Sequence, residues 1–180
     1  GAMRNLRVPS RESGSRSCRA PPCDANDLTD KPNNNHKGKI VSKMIFVNLP
    51  VSDLKASMSF YEALGFVNNA QFTDETAACM VWSEAIHVML LTHEKWKTFT
   101  SRPIAPKTSS EVMLCLSCES RAAVDSLNET AAKHGGVADI NPQLDYGFMY
   151  GRMLADVDGH VWEMMWMDMS TMSSAQEEIS

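Results

Sequence analysis

The stretch Val47-Asn48-Leu49-Pro50-Val51-Ser52-Asp53-Leu54, continued by Ser59-Phe60-Tyr61-Glu62-Ala63-Leu64-Gly65-Phe66, decides the fold. Residues 44–51 form a short apolar run, interrupted by Asn48 and ended by Pro50, and read as a strand. Ser52 sits where a helix N-cap belongs. Leu54, Met58, Tyr61 and Leu64 follow at helical spacing, and Gly65 closes the helix. Residues 66–72, 77–82 and 86–92 then read as three strands, with turns at Thr73-Asp74-Glu75 and Ser83-Glu84. The first half is therefore strand, helix, then three strands.

The same order recurs downstream. Residues 93–110 hold Pro103 and Pro106 and form a connector, with one turn of helix expected around Trp96. Residues 112–118 read as a strand and Ser120 as a second N-cap. Val124, Leu127, Ala131 and His134 have helical spacing, and Gly135-Gly136 stops that helix. Strands follow at 137–140, 148–155 and 161–167, the last two joined by a hairpin at Asp158-Gly159. Element order and caps repeat, although the residues do not. The expected fold is α+β: two paired βαβββ modules, 44–92 and 111–168, forming a curved mixed sheet around a cleft that takes a small-molecule ligand. The domain spans 43–169. Residues 1–42, rich in Arg, Ser, Pro and Asn, read as a flexible leader that is either native or an expression scar, and 170–180 as a fraying tail.

Composition narrows the function. The chain has 180 residues, a net charge of −5, five cysteines and 13 methionines. Net acidity argues against a nucleic-acid partner. No apolar run reaches about 18 residues, so no membrane span is expected. An odd cysteine count without a secretory signal reads as reduced thiols in the cytoplasm. Methionine is soft and adaptable, and suits variable apolar pockets.

Candidate chemistry gathers on the strands. His160-Val161-Trp162-Glu163 has the spacing of a helical metal pair, but on a strand those two side chains face opposite ways. Glu163 lies between Val161 and Met165 on one face, where a carboxylate must be paired, protonated or bound. It is either satisfied by an Arg or the backbone, or it is a metal ligand or base. Tyr150 and Arg152 share a face by parity. If that face lines the cleft they offer a hydroxyl and a cation to a ligand carboxylate or oxyanion; otherwise Arg152 pairs with Glu163. Asn48 is a polar amide in an apolar strand, facing a pocket or a network. His87 is better placed than His93 for a site. Met80, Met89 and Met165, with Trp82, form either core or an apolar ligand box. Cys115 and Cys118 fall on opposite faces of one strand, unlike a redox pair. Asp156-Val157-Asp158-Gly159 starts like a calcium loop but has its glycine too early, and reads as a hairpin.

The opening stretch quoted above resembles that of vicinal-oxygen-chelate proteins, the superfamily of glyoxalase I, the bleomycin and fosfomycin resistance proteins and the extradiol dioxygenases. Asp156-Val157-Asp158-Gly159-His160-Val161-Trp162-Glu163 resembles its last hairpin. Gln71-Phe72-Thr73-Asp74-Glu75 and Asp145-Tyr146-Gly147-Phe148-Met149-Tyr150-Gly151-Arg152 resemble a bacterial branch labelled predicted lactoylglutathione lyase. The resemblance covers about 44–169. It implies the paired βαβββ fold, a homodimer, and a divalent metal in metal-dependent members. Of the ligand positions it implies, Glu163 matches, Phe46 stands where a His is usual, and Glu111 and His87 are the only substitutes near two others. The implied activities are a lyase or isomerase on a small carbonyl or thiol adduct, with Glu163 and Tyr150 catalytic, or metal-independent binding of an apolar or aromatic molecule.

Overall fold

The computed structural model describes residues 43–170, which belong to one compact unit. The expected leader and nearly all of the expected tail lie outside the described residues. The first module runs β1 (Ile45–Val51), α1 (Leu54–Ala63), β2 (Val67–Asn69), a 3-10 turn (Ala70–Phe72), β3 (Ala77–Val81) and β4 (Ile86–Thr92). A single turn, α2 (His93–Trp96), opens the connector. The second module runs β5 (Met113–Ser117), α3 (Arg121–Lys133), β6 (Val137–Ala138), β7 (Leu144–Asp145), β8 (Met149–Ala155) and β9 (Val161–Met167). In each module the first strand lies parallel to the last, β1 on β4 and β5 on β9, as a βαβββ unit requires.

Local chemistry explains the boundaries, with two corrections. Asp53, not Ser52, caps α1: its carboxylate accepts from the Lys55 and Ala56 amides, each at 3.0 Å. Ser52 is one residue too early, and its hydroxyl is committed elsewhere. The strand expected over 66–72 stops at Asn69, because the Asn69 side chain accepts from Gln71 N at 3.1 Å and starts a 3-10 turn. Ser120 caps α3 through Ala123 N at 3.1 Å, as expected. Gly65 and Gly135 end the helices with φ of +95° and +92°, a region few other residues enter.

The α+β class and paired modules match the sequence reading. The strands form two sheets, ordered β1-β4-β3-β2 and β5-β9-β8-β6, with β7 paired to β8. The modules meet through their helix-bearing faces. Phe66, just before the far edge strand β2, lies 6.3 Å from the Trp162 ring of β9, and Tyr61 of α1 lies 6.0 Å from the same ring. Leu49, Val51, Val88 and Leu90 from the first sheet share one core with Leu116, Leu154, Trp162 and Met164 from the second. Gly136 permits this approach: a Cβ there would lie 2.7 Å from Phe60 Cε2 and 2.6 Å from the Ala155 carbonyl oxygen. Each sheet thus keeps a second, outer face turned away from the core.

Candidate functional site

Strand register assigns every candidate residue to a face. In β1 and β4, Phe46 pairs with His87 and Asn48 with Met89. These alternate with the buried Val88 and Leu90, so they belong to the outer face of the first sheet. In β5, β9 and β8, Cys115, Glu163 and Met153 form one row, and Met165 stands one row on, opposite Gly151. These alternate with the buried Trp162 and Met164, so they belong to the outer face of the second sheet. Because the helix-bearing faces meet, the two outer faces lie on opposite sides of the shared core. No single copy brings Asn48, His87 and Met89 against Glu163 and Met165.

Glu163 is half-buried and stands over Gly151, where a Cβ would lie 3.0 Å from its Oε1. No Lys or Arg pairs with it among the described residues. Its neighbour is the Cys115 thiol, which desolvation and the Glu163 charge push up to about 11, leaving it protonated and unreactive at neutral pH.

Tyr150 and Arg152 are on the other side of the strand. Arg152 pairs in register with Met164, facing α3 and the core. It bonds Asp125 at 2.9 Å and Asp139 at 2.7 Å. The Tyr150 hydroxyl donates to Asp125 at 2.7 Å. Tyr150 and Arg152 do share a face, but it turns to α3 and the core and not to a cleft, and Arg152 does not bridge Glu163. Their bonds hold Asp125 and Asp139 below the usual carboxylate range. Arg121 completes the fastening, bonding Asp145 at 2.8 and 2.9 Å and holding its carboxyl at about 2. Its guanidinium also lies about 5 Å from the Tyr150 and Trp166 rings (5.0 and 5.1 Å).

Met80 is fully buried and belongs to the core, not to an outer-face ligand box. Trp82 packs 4.9 Å from Phe66 on the core side, and borders a cavity of about 360 Å³ beside the start of α3. Asn48 is exposed at the edge strand, so its amide reaches water and needs no internal network. His87 stacks on Phe46 at 4.7 Å, and its Nδ1 is buried without a partner among the described residues. Cys115 and Cys118 are free thiols on opposite faces.

The residues of the hairpin between β8 and β9 act within the fold. Asp158 accepts from Ser52 N at 3.0 Å, Ser52 Oγ at 2.6 Å and Ser57 Oγ at 3.0 Å. Asp156 accepts from the Tyr61 hydroxyl at 2.7 Å and from the Asp158 and His160 amides at 2.9 and 2.8 Å. Burial pushes the Asp156 carboxyl up, and burial beside Asp156 pushes the Tyr61 hydroxyl well up. His160 bonds the Pro50 carbonyl at 2.9 Å. This network was missed from the sequence, because the partners lie about 100 residues apart and no local spacing links them.

The divalent metal of metal-dependent vicinal-oxygen-chelate proteins does not fit. Among the described residues, no three His, Cys, Asp or Glu side chains are grouped to hold an ion. Glu163 has Cys115 and Met153 beside it in the row, and Phe46 offers no donor.

One cavity adjoins the outer face of the first sheet. It has about 260 Å³ and lies between β1 and the connector, lined by Asn48, Pro50, Trp96, Arg102, Ile104 and Glu111 among others. The sequence marked Asn48; it gave no signal for Trp96 or Arg102, which arrive from an irregular segment.

The family model described as bleomycin resistance protein-like N-terminal matches residues 43–83, the bulk of the first module. A hypothetical protein, SA1046 from S. aureus, is 28% identical; the match covers 71% of this chain and 94% of that one, with a TM-score of 0.59. A glyoxalase/bleomycin resistance protein/dioxygenase family enzyme from Burkholderia phytofirmans PsJN is 17% identical, covering 69% and 98%, with a TM-score of 0.59. A glyoxylase/bleomycin resistance protein/dioxygenase domain from Frankia sp. EAN1pec is 24% identical, covering 71% and 93%, with a TM-score of 0.54. No curated protein matches the chain. In its first module the chain is thus similar to the bleomycin resistance protein-like N-terminal family, and its fold is that of the glyoxalase/bleomycin resistance protein/dioxygenase structures.

Proposed function

We propose that the chain is a glyoxalase-type isomerising lyase for a small carbonyl or thiol-adduct substrate, with Glu163 as the proton-transfer base. The supporting observation is the Glu163 carboxylate itself: half-buried on an outer face, above the side-chain-free Gly151, and bonded to no cation among the described residues. Such a base takes a proton from the carbon beside a carbonyl and returns it to the next carbon, consuming no other reactant. Tyr150 acts behind the strand, holding Asp125 and Arg152. A second copy supplies the facing wall, from Asn48, His87 and Met89. Exposed Ile45 and Phe46 on edge strand β1, and Met113 on edge strand β5, favour such a homodimer. The free thiols suit the cytoplasm. Turnover of methylglyoxal hemithioacetal, assayed with nickel, zinc, cobalt or manganese and without metal, tests this. No turnover under any condition removes it.

The 260 Å³ cavity favours a second reading, metal-independent binding of a small organic molecule. A ligand that binds only the folded chain raises its melting temperature. A panel of aromatic and apolar compounds that leaves it unmoved removes this reading.

A further inference from the structure

The cavity between β1 and the connector has an apolar body and an unusual set of polar groups. Pro50, Pro103, Ile104, Ala105 and Val112 supply the apolar lining. Trp96 holds its Nε1–H buried with no acceptor among the described residues. Arg102 lines the same cavity and has no ion pair among the described residues; only its backbone amide is bonded, to Thr100 Oγ1 at 3.2 Å. Asn48 adds an exposed amide with two further N–H groups that bond nothing among the described residues. Three of the lining residues thus carry unpaired donor groups, against a single acceptor carboxylate, Glu111.

A buried donor without an acceptor is costly, and a ligand oxygen at that point removes the cost. An unpaired guanidinium recognises a planar carboxylate through two parallel hydrogen bonds. We infer that this cavity binds a small apolar carboxylate, its hydrocarbon part against Pro50 and Ile104 and its carboxylate at Arg102, Trp96 and Asn48. About 260 Å³ accommodates a ring with a short acidic arm. The inference rests on the binding reading above and adds the ligand class to it.

The test is calorimetric titration of the full chain with 3-phenylpropionate and with its neutral analogue, 3-phenylpropanol. The acid is expected to bind at least tenfold more tightly than the alcohol. Arg102→Met is expected to bring the acid down to the level of the alcohol, and Trp96→Phe to weaken the acid without changing the alcohol. Arg102 is exposed, so its variant leaves the melting temperature in place. Equal binding of acid and alcohol, or an unchanged acid affinity in Arg102→Met, overturns the carboxylate class while leaving a binding cavity. Binding of neither compound overturns the carboxylate inference, and the aromatic panel then decides the binding reading separately.

Discussion

Ser57 Oγ of α1 donates a 3.0 Å hydrogen bond to the Asp158 carboxylate across 101 residues of chain, so the last hairpin of one module closes on the first helix of the other. Asp158 takes two further bonds from Ser52. Replacing Asp158 with Ala removes the acceptor that ties Ser52 and Ser57 to the hairpin, although Ser57 Oγ keeps the Asp53 carbonyl at 2.9 Å. The expected cost is about 1–2 kcal/mol, read as a lower midpoint in urea unfolding. An unchanged midpoint would show that the hairpin is not a fastening.

The Tyr61 hydroxyl joins two buried groups. It donates to Asp156 at 2.7 Å and accepts from Trp162 Nε1 at 3.0 Å. Tyr61→Phe keeps the ring contacts and removes both bonds. It is expected to cost about 1–3 kcal/mol, because a carboxylate loses a donor and an indole loses its acceptor. Thermal unfolding measures it.

Gly136 is predicted to tolerate no side chain. An alanine Cβ meets a backbone carbonyl at 2.6 Å, which cannot swing aside, and the Phe60 ring at 2.7 Å. Gly136→Ala is expected to destabilise by about 1–3 kcal/mol. Gly147→Ala meets nothing within 4 Å and serves as the control, penalised only by its φ of +78°.

Acid stability has a definite sign. Asp145 sits at about 2 when folded, and Asp125 and Asp139 are also held low. Unfolded, such groups titrate near 3.9, so their share of stability is complete above about pH 4 and is lost as the pH falls towards 2. Asp156 is raised, so its share runs the other way, greatest at low pH and declining as the pH rises. The melting temperature of the native chain is expected to fall between pH 5 and 2.5. In Asp145→Asn that fall is smaller.

The helix stretch 54–64, the strand 86–92 and the repeat of element order were legible because periodicity and caps are local properties. The cap at Asp53 was misplaced by one residue because two adjacent residues, Ser52 and Asp53, both carry capping chemistry, and only the distant Asp158 decides between them. Parity grouped Glu163 with Val161 and Met165, but the sequence reading turned that face into a cleft between the modules, whereas the register puts Glu163 on the outer face of the second sheet. The partners of Arg152 were not legible either, because parity groups residues by face without saying which face meets the helix. The cavity at Trp96 and Arg102 was invisible, since the connector has no period to read.

Glu163 carries the proposed chemistry, and one comparison tests it most directly: methylglyoxal hemithioacetal turnover by the native chain and by Glu163→Gln, with melting temperatures measured alongside. Measurable turnover in the native chain, falling at least a hundredfold in a variant that melts at the same temperature, is the predicted result. Equal rates in both proteins, or none in the native chain, would contradict it.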